Sequence, residues 1–551
     1  MGDGWARVTG QPQAVIVHVD VGTQALGCGI HNASAGRCPV LIFAGLCPFT
    51  EDGKMPGSRT EYQHWIQDAP DQKAIVGQYC RYVGELRTGS TVKQTVARAL
   101  QFATSNPKGP VYLTGAREIM AEEVEPYTLE QQQWGAVGPS ALPEQAVTAI
   151  AEALVSAKHP LIITGYSGRN HKCPSQLVQL ADTIAGLRVF DTGGSDMCFP
   201  MTHPASLGFR FGVDESTTLA DVILILDCDV PWIPSRNHPR KDARIYHVDV
   251  DPLNRMMPNS FFPAHGRWTA DSYTALSQLN TYLTQTPSLI RALQDPQYAQ
   301  RRQRIKDEHS ARLTSFAKLA TPRPNGLFTA HHVGLVIKSE VPSDTVFVIE
   351  AVTCAVQIAD QLQTSLPGTW INCGGAGLGW SGGAALGVKL ALDASERPSF
   401  VCAIVGDGAF LFSFPSSVYW IAARYGIPVL TVVLNNRGWN APRKSLELVH
   451  TDGLAPTSSN KDLHISFDPS PDYSGIAKAA AGNDFGGSEG CLYTAKADSM
   501  ETLRDALVHA VQAVKAGRGA VVEAVMDEEE REEAARSPKD VEFQELNIEG
   551  K

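Results

Sequence analysis

The stretch Ser399-Phe-Val-Cys-Ala-Ile-Val405-Gly406-Asp407-Gly408 decides the fold class of this chain. After Ser399 it is an unbroken apolar run up to Val405, which is typical of a parallel strand buried on both faces. The run ends in Gly-Asp-Gly, where the backbone can turn and approach an anion closely. Downstream, Pro415–Tyr425 has the pattern of a helix, and residues 429–434 have the pattern of a second buried strand that ends in Asn435-Asn436. The pattern predicts a parallel α/β sheet with acid and amide side chains after two of its strands.

The carboxyl ends of parallel strands are where open α/β sheets bind ligands. The side chains of Asp407 and Asn436 offer hard oxygen atoms, and Mg²⁺ prefers a few such protein ligands completed by phosphate oxygens. We therefore predict that Mg²⁺ and a diphosphate are held together at these strand ends. Two alternatives are an ordinary strand–helix–strand crossover and a helix cap at Asp407. Neither of them accounts for the paired asparagines after the second strand.

The composition places the chain among large globular α/β proteins. Its 551 residues suggest about three domains, and 43% apolar with 19% charged residues is ordinary for such proteins. The net charge of −11 argues against nucleic acid or an anionic membrane as a partner. The eleven cysteines show no C-x-x-C spacing, and the apolar runs are strand-length, so neither a disulfide framework nor a membrane span is predicted. The N-terminus lacks the apolar core of a signal peptide, and we predict a cytoplasmic protein.

Three α/β blocks can be separated along the chain. We place them at residues 1–128, 144–285 and 327–526, followed by a charged tail at 527–551 that we expect to be solvated or disordered. A segment rich in Gln, Gly and Pro separates the first two blocks, and polar helical sequence separates the second from the third. The strands predicted in the first two blocks lie at 14–18, 39–43, 110–113, 160–164, 221–226 and 244–248, with a helix at Val92–Thr104.

The spacing of 29 positions between Asp407 and Asn436 resembles the thiamine diphosphate and Mg²⁺ motif of thiamine-diphosphate-dependent enzymes, with extra residues that we place in a turn at 410–415. The order of the blocks resembles the pyrimidine-binding, central Rossmann-like and diphosphate-binding domains of the acetolactate synthase and benzoylformate decarboxylase group. The resemblance implies three doubly wound parallel-sheet domains. It also implies a homodimer or homotetramer, with each site between the first domain of one subunit and the third domain of another.

The resemblance implies roles for individual residues of the third domain. The metal ligands would be Asp407, Asn436 and the backbone carbonyl of Gly438, while the N–H groups of Gly408 and Ala409 would contact the diphosphate. Trp439 and Phe467 would line the pocket.

Two further segments resemble parts of the cofactor site in the same group. Gly377-Leu378-Gly379-Trp380 resembles a stretch whose aliphatic residue bends the cofactor, so Leu378, with Ala376 before it, is a candidate cofactor contact. Tight packing of a helix on a sheet is the alternative reason for these glycines. Glu350-Ala-Val352-Thr353 matches the segment that reaches the diphosphate through Val352 and Thr353, whereas Glu350 itself could equally be a surface residue.

The segment His18-Val-Asp-Val-Gly22-Thr23 resembles the His-x-x-x-Gly-Thr stretch of benzoylformate decarboxylases, where the histidine faces the substrate. Acetolactate synthases tend to have Ser-Gly-Pro-Gly at this place. His18 is therefore our candidate catalytic residue, because an imidazole can carry a proton near neutral pH. A structural histidine bonded to the backbone is the alternative.

The function implied by the resemblance is attack on a small-molecule 2-oxo acid with loss of CO₂. Acetolactate-synthase-like carboligation is the first expectation, and a simple decarboxylase is the alternative that the His18 segment favours. Gly4-Trp-Ala-Arg7 resembles a segment that normally lies well inside the first domain, and the group's activating glutamate is expected before it. Because no residue here has that position, a thiamine-diphosphate-binding protein without turnover is a third reading. We also expect an uncovered sheet edge and poor solubility.

Overall fold

A computed structural model of the chain describes residues 1–396, 398–482 and 490–526. Across these residues the chain forms three α/β domains, each built on its own sheet of parallel strands, and the predicted fold class is confirmed. The predicted tail at 527–551 lies outside the described residues. Within the described ranges, no helix combines the length and the apolar character needed to cross a membrane.

The first domain has a parallel sheet in the order β1-β2-β4-β3. Strand β3 was not predicted, because Gly and Glu interrupt its apolar pattern and none of its first four residues is fully buried. The helix expected at Val92–Thr104 is present as predicted. The elements are α1 (Gly2–Thr9), β1 (Gln13–Val17), α2 (Asp20–Gln24), α3 (Gly27–Ala35), β2 (Val40–Leu46), α4 (Gln63–Ile66), β3 (Tyr82–Leu86), α5 (Val92–Thr104), β4 (Val111–Ala116) and α6 (Arg117–Met120).

The central domain has a parallel sheet in the order β10-β9-β8-β5-β6-β7. The apolar strands β5, β8 and β9 occur where they were predicted, whereas the short strands β6, β7 and β10 were missed because each has only four residues. The elements are α7 (Glu144–Ser156), β5 (Pro160–Thr164), α8 (Cys173–Thr183), β6 (Arg188–Asp191), β7 (Ser206–Phe209), α9 (Ser216–Leu219), β8 (Val222–Leu226), β9 (Arg244–Asp249), β10 (Gly266–Thr269), α10 (Ser272–Gln285), α11 (Pro287–Leu293) and α12 (Pro296–Leu319).

The third domain has a parallel sheet in the order β12-β11-β13-β14-β16-β15. The opening stretch forms β13, and the turn predicted at 410–415 is partly wrong, because α16 continues to Phe412 and leaves only Ser413 and Phe414 between two helices. The elements are α13 (Ala330–Glu340), β11 (Val346–Glu350), α14 (Ala355–Leu362), β12 (Trp370–Asn372), α15 (Trp380–Asp393), β13 (Val401–Gly406), α16 (Asp407–Phe412), α17 (Pro415–Tyr425), β14 (Leu430–Asn435), α18 (Asn440–Val449), α19 (Tyr473–Ala481), β15 (Leu492–Ala497), α20 (Met500–Lys515) and β16 (Gly519–Val525).

Helix α1 of the first domain packs directly on α15 of the third domain. The two backbones approach so closely that a Cβ atom at Gly4 would lie 2.1 Å from the carbonyl oxygen of Ala384. A Cβ atom at Gly387 would likewise lie 2.0 Å from the carbonyl oxygen of Met1. Glycine is required at both positions, because any side chain would push the helices apart. This contact sets the first domain against the helix that follows the Leu378 segment.

Strand β1 lies at the edge of the first sheet, and its outward side chains are exposed. Ile16, at its centre, is 77% exposed, and an open apolar edge strand is a template for self-association. We expect Ile16→Lys to lower concentration-dependent self-association, as measured by light scattering across a range of protein concentrations. The control is Leu253→Lys, since Leu253 is 80% exposed but lies outside any strand. An equal improvement from the control would contradict an effect of the strand edge.

Candidate functional site

The carboxyl ends of β13 and β14 lie side by side, with Gly406 paired to Leu434 in the parallel ladder. Asp407 follows the first strand and Asn436 the second, so the sheet brings the two predicted metal ligands to one edge. The loop after β14 then folds back over Asp407, whose carboxylate accepts hydrogen bonds from the N–H groups of Gly408 (2.8 Å) and Gly438 (3.2 Å). The predicted ligands Asp407, Asn436 and Gly438 are therefore neighbours in space.

The side chain of Asn436 ends beside two oxygens of this loop. One terminal atom of its amide lies 3.2 Å from Asp407 Oδ2 and 2.9 Å from the carbonyl oxygen of Gly438. As a nitrogen, that atom would donate hydrogen bonds to both. As the amide oxygen, it would lie close to two further oxygens. Neighbouring ligand oxygens of Mg²⁺ are about 3 Å apart, because its octahedral bonds are about 2.1 Å long, and the two separations are close to that value. Rotation of one amide is thus enough to give an oxygen-ligand set, and the donors fit Mg²⁺.

Asp407 is buried, and its environment opposes the charged form. Burial raises the pKa of its carboxyl group to about 6, although the backbone N–H groups around it act in the opposite direction. A buried carboxylate of this kind is stabilised by a cation. The electrostatics therefore agree with the arrangement of oxygens, and a helix cap alone is a poorer account of Asp407.

Asn435, the first of the paired asparagines, has a different environment from Asn436. Its amide nitrogen donates to Glu523 Oε1 (3.0 Å) and to Ser470 Oγ (3.1 Å), and its oxygen accepts from the N–H of Arg437 (3.0 Å). Glu523 is fully buried in β16 and also lies 3.0 Å from Lys496 Nζ. Asn435 therefore anchors the loop, which leaves Asn436 to face Asp407.

Trp439 covers the Gly-Asp-Gly turn. A Cβ atom at Gly408 would lie 2.3 Å from the Trp439 ring, so only glycine leaves room for the indole. The same ring meets Phe412 edge-on at 5.8 Å and Phe467 at 4.8 Å between centroids. The predicted pocket residues Trp439 and Phe467 are thus in contact, and Phe412 joins them. The Gly408 N–H donates to Asp407, rather than being open to a phosphate.

Two of the predicted cofactor contacts, Val352 and Ala376, have a strained backbone conformation. Val352 has φ 24° and Ala376 has φ 54°, values that non-glycine residues seldom adopt. Such outliers cluster at functional sites. Both residues line a cavity of about 890 Å³ that reaches the carboxyl ends of the central sheet. The strain supports a functional role for this region of the third domain.

Leu378 and Thr353 are the remaining predicted cofactor contacts of the third domain. Leu378 packs against a buried cluster that includes Ala409 and Phe410, so it lies next to the start of α16. The carbonyl of Thr353 accepts from Lys444 Nζ at 3.3 Å, which joins the Thr353 segment to α18. Leu378 therefore packs against the apolar cluster to which the predicted diphosphate contact Ala409 belongs.

His18 stands apart from these residues. It is exposed at the carboxyl end of β1 in the first domain. In the part of the chain that the structure describes, no hydrogen bond or ring contact links it to the Asp407 loop. Within one chain the candidate catalytic residue and the candidate metal ligands are therefore not brought together.

Sequence reasoning missed several residues that shape the site. Glu350 is fully buried and caps the start of α15, so the surface alternative for it is wrong. The signal was an acid at the end of the apolar run Val346–Glu350. Glu523 had a similar signal, since it interrupts the apolar strand Gly519–Val525. Asn32 of α3, which reaches the Leu378 segment, had no signal, because only the packing of two domains places it there.

Comparison with known protein families covers all three domains. A model of the N-terminal TPP binding domain of thiamine pyrophosphate enzymes matches residues 1–75, and a model of the central domain matches residues 147–261. The C-terminal TPP binding domain matches residues 351–524, which include the Gly-Asp-Gly turn and the paired asparagines.

Curated proteins and solved structures agree with these matches. Benzoylformate decarboxylase of Pseudomonas aeruginosa is 23% identical over 467 residues, covering 80% of this chain and 78% of that protein. Acetolactate synthase isozyme 3 large subunit of Escherichia coli is 25% identical over 456 residues, covering 79% and 73%. The structure of the thiamine diphosphate-dependent 4-hydroxybenzoylformate decarboxylase of Rhodococcus jostii RHA1 superposes with a TM-score of 0.73 at 20% identity, over 96% of this chain and 90% of that one. The likeness in fold thus extends over nearly the whole chain.

Proposed function

Because the chain belongs to the thiamine pyrophosphate enzyme family, we propose that it binds thiamine diphosphate together with Mg²⁺ and decarboxylates a 2-oxo acid. Its relatives include both decarboxylases and acetolactate synthases, and loss of CO₂ from a 2-oxo acid is common to our two expectations. The observation that carries the proposal is the convergence of Asp407, the Asn436 amide and the Gly438 carbonyl at adjacent strand ends.

Each residue of the third domain has a proposed task in holding the cofactor. Asp407, Asn436 and the Gly438 carbonyl would hold the Mg²⁺, and Mg²⁺ typically takes phosphate oxygens as its further ligands. Backbone and hydroxyl groups of Val352, Thr353 and Ala409 would also hold the diphosphate, whereas the Gly408 N–H is already bonded to Asp407. Leu378 and Ala376 would support the cofactor in the bent conformation that the family resemblance implies. Trp439 closes the turn with its aromatic neighbours and limits the access of water.

When bound, thiamine diphosphate supplies the electron sink for breaking the bond between the carbonyl and carboxylate carbons. With that chemistry, the products would be CO₂ together with either an aldehyde, formed with uptake of a proton, or a carboligation product, in which the former carbonyl carbon is joined to the carbonyl carbon of a second molecule. We propose the second outcome, acetolactate-synthase-like carboligation. Proton uptake is the alternative, and the His18 segment favours it.

A homodimer or homotetramer is part of this proposal, since His18 and Asp407 are separated within one chain. Second copies would bring His18 of the partner subunit toward the Asp407 loop. The surface around that loop supports the idea, because large apolar side chains are exposed there, including Phe414 between α16 and α17 at 77% and Tyr425 at the end of α17 at 65%. Exposed patches of this kind are typical of protein interfaces. Sedimentation of the cofactor-loaded protein as a monomer would contradict it.

Calorimetry followed by product analysis tests the proposal. We expect thiamine diphosphate to bind in Mg²⁺ and to lose most of its affinity when the divalent cation is removed with EDTA. The loaded protein should then release CO₂ from pyruvate, benzoylformate or another 2-oxo acid, with the second product identified as an aldehyde or a carboligation product. Absence of binding would contradict the cofactor. Binding without CO₂ release from any 2-oxo acid would contradict the reaction and favour the reading without turnover.

A further inference from the structure

The segment that carries Leu378 is fixed on both sides by buried side chains. On one side, Asn32 donates to the Gly377 carbonyl (2.7 Å) and accepts from the N–H of Gly375 (2.9 Å). On the other side, the Glu350 carboxylate accepts from the N–H groups of three consecutive residues. These are Gly379 at 2.8 Å, Trp380 at 3.2 Å and Ser381 at 2.8 Å. Leu378 lies between the two anchors and has little freedom to move.

Glu350 reaches α15 from a different element, the carboxyl end of β11. It is fully buried, and burial raises the pKa of its carboxyl group, while the N–H groups of α15 act against that shift. A carboxylate at a helix N-terminus is stabilised by the unpaired N–H groups and by the helix dipole. The bonds therefore tie the end of β11 to the start of α15.

The backbone next to Leu378 adds a third restraint. Gly379 has φ 97°, and a Cβ atom there would lie 2.2 Å from the carbonyl oxygen of Phe412 at the end of α16. The turn is thus pressed against α16 while Glu350 holds its N–H groups. Leu378 itself packs against the cluster that contains Ala409 and Phe410. A change at Glu350 would therefore move Leu378 relative to α16.

We propose that Glu350 is a positioning residue that holds Leu378 against the bound cofactor. Only Ala351 separates Glu350 from the proposed diphosphate contacts Val352 and Thr353. One side chain thus links the part of the site that holds the diphosphate to the part that bends the cofactor. This inference rests on the proposed function, because it assigns Glu350 a role in the geometry of bound thiamine diphosphate.

A double-mutant cycle tests whether Glu350 acts through Leu378. The variants are Glu350→Gln, Leu378→Ala and the double variant, each loaded with thiamine diphosphate and Mg²⁺. The measurements are cofactor affinity, the near-ultraviolet circular dichroism induced in the bound cofactor, and kcat and KM. We expect Glu350→Gln to lower kcat by about 10- to 100-fold with little change in KM, and to alter the induced signal, because misplacing a positioning group costs that much. The double variant should be no worse than Leu378→Ala.

Asp221→Asn is the matched control. The Asp221 carboxylate also accepts two backbone N–H groups, from Lys158 and His159 at 2.8 Å each, but it lies in the central domain. The control should lower the Tm without changing kcat or the induced signal. If Glu350→Gln behaves in the same way, or if its effect adds fully to that of Leu378→Ala, the inference is overturned.

Two further outcomes keep the test decisive. Should Glu350→Gln fail to fold, Asn32→Ala releases the other anchor of the same segment and is expected to alter the induced signal. An unchanged signal in folded Asn32→Ala would contradict the inference. A wild-type chain that binds the cofactor but releases no CO₂ would contradict the proposed reaction. The same double-mutant cycle, measured by the circular dichroism of the bound cofactor, would still support or refute the role of Glu350.

Discussion

Asp407→Asn is expected to weaken the binding of thiamine diphosphate in Mg²⁺ by about 100-fold or more and to abolish turnover. The substitution removes the anionic member of the three converging oxygens. The fold should persist, because the amide keeps the shape of the side chain and a buried neutral group costs less to desolvate than a carboxylate. Calorimetric titration gives the affinity, and the thermal unfolding of the cofactor-free protein gives the stability, which we expect to be equal to or above that of the wild type.

Asp472→Asn is the control that separates metal binding from helix capping. Asp472 caps α19 and accepts from the N–H of Gly475 at 2.8 Å, so it has the role that the alternative reading gives to Asp407. Asn still offers a capping oxygen, so the substitution removes only the negative charge and should lower stability by less than about 1 kcal/mol, without affecting the cofactor. If Asp407→Asn instead lowers the Tm and leaves the affinity within about threefold of the wild type, Asp407 is a cap and the metal site is wrong.

Arg7→Met is expected to destabilise the protein by about 1–3 kcal/mol, since it removes a buried donor that holds three domains together. The Arg7 side chain is fully buried, and its Nη2 donates to the carbonyls of Ser195 (3.0 Å) and Asn372 (2.6 Å). Its Nε lies 3.9 Å from Asp196 Oδ1. Thermal unfolding measures the loss. Hydrogen exchange should show that α1 loses protection first.

Arg443→Met is the control for Arg7. Arg443 also donates to backbone carbonyls, those of Ala455 and Ser458 at 2.7 Å each, but all its partners lie within the third domain. Its loss should loosen the loop after α18 and leave the protection of α1 unchanged. Equal loss of protection in α1 from both variants would show that Arg7 does not act as a link between domains.

Most of the strands that were found from the sequence are buried on both faces, and β1, whose outward side chains are exposed, is an exception. β5, β8, β13 and β14 are mainly apolar, and the two helices predicted with bounds, α5 and α17, match the structure residue for residue. The missed strands β6, β7 and β10 are short, and β3 and β10 contain residues that are only half-buried. Their place in the sheets comes from pairing with neighbours, which periodicity in a single segment cannot reveal.

The sequence by itself determined the α/β fold class and the residues that meet at the ends of β13 and β14. Asp407 and Asn436 follow buried strands, and the geometry of a parallel sheet places such strand ends together whatever the rest of the chain does. Only the tertiary structure decided how the loop after β14 and Leu378 are held. Asn435 depends on Glu523 from β16, and the Leu378 segment depends on Glu350 and on Asn32 from another domain. These contacts join residues that are far apart in the chain, and hydrogen bonds of that kind are set by packing between elements and leave no periodic pattern in the sequence.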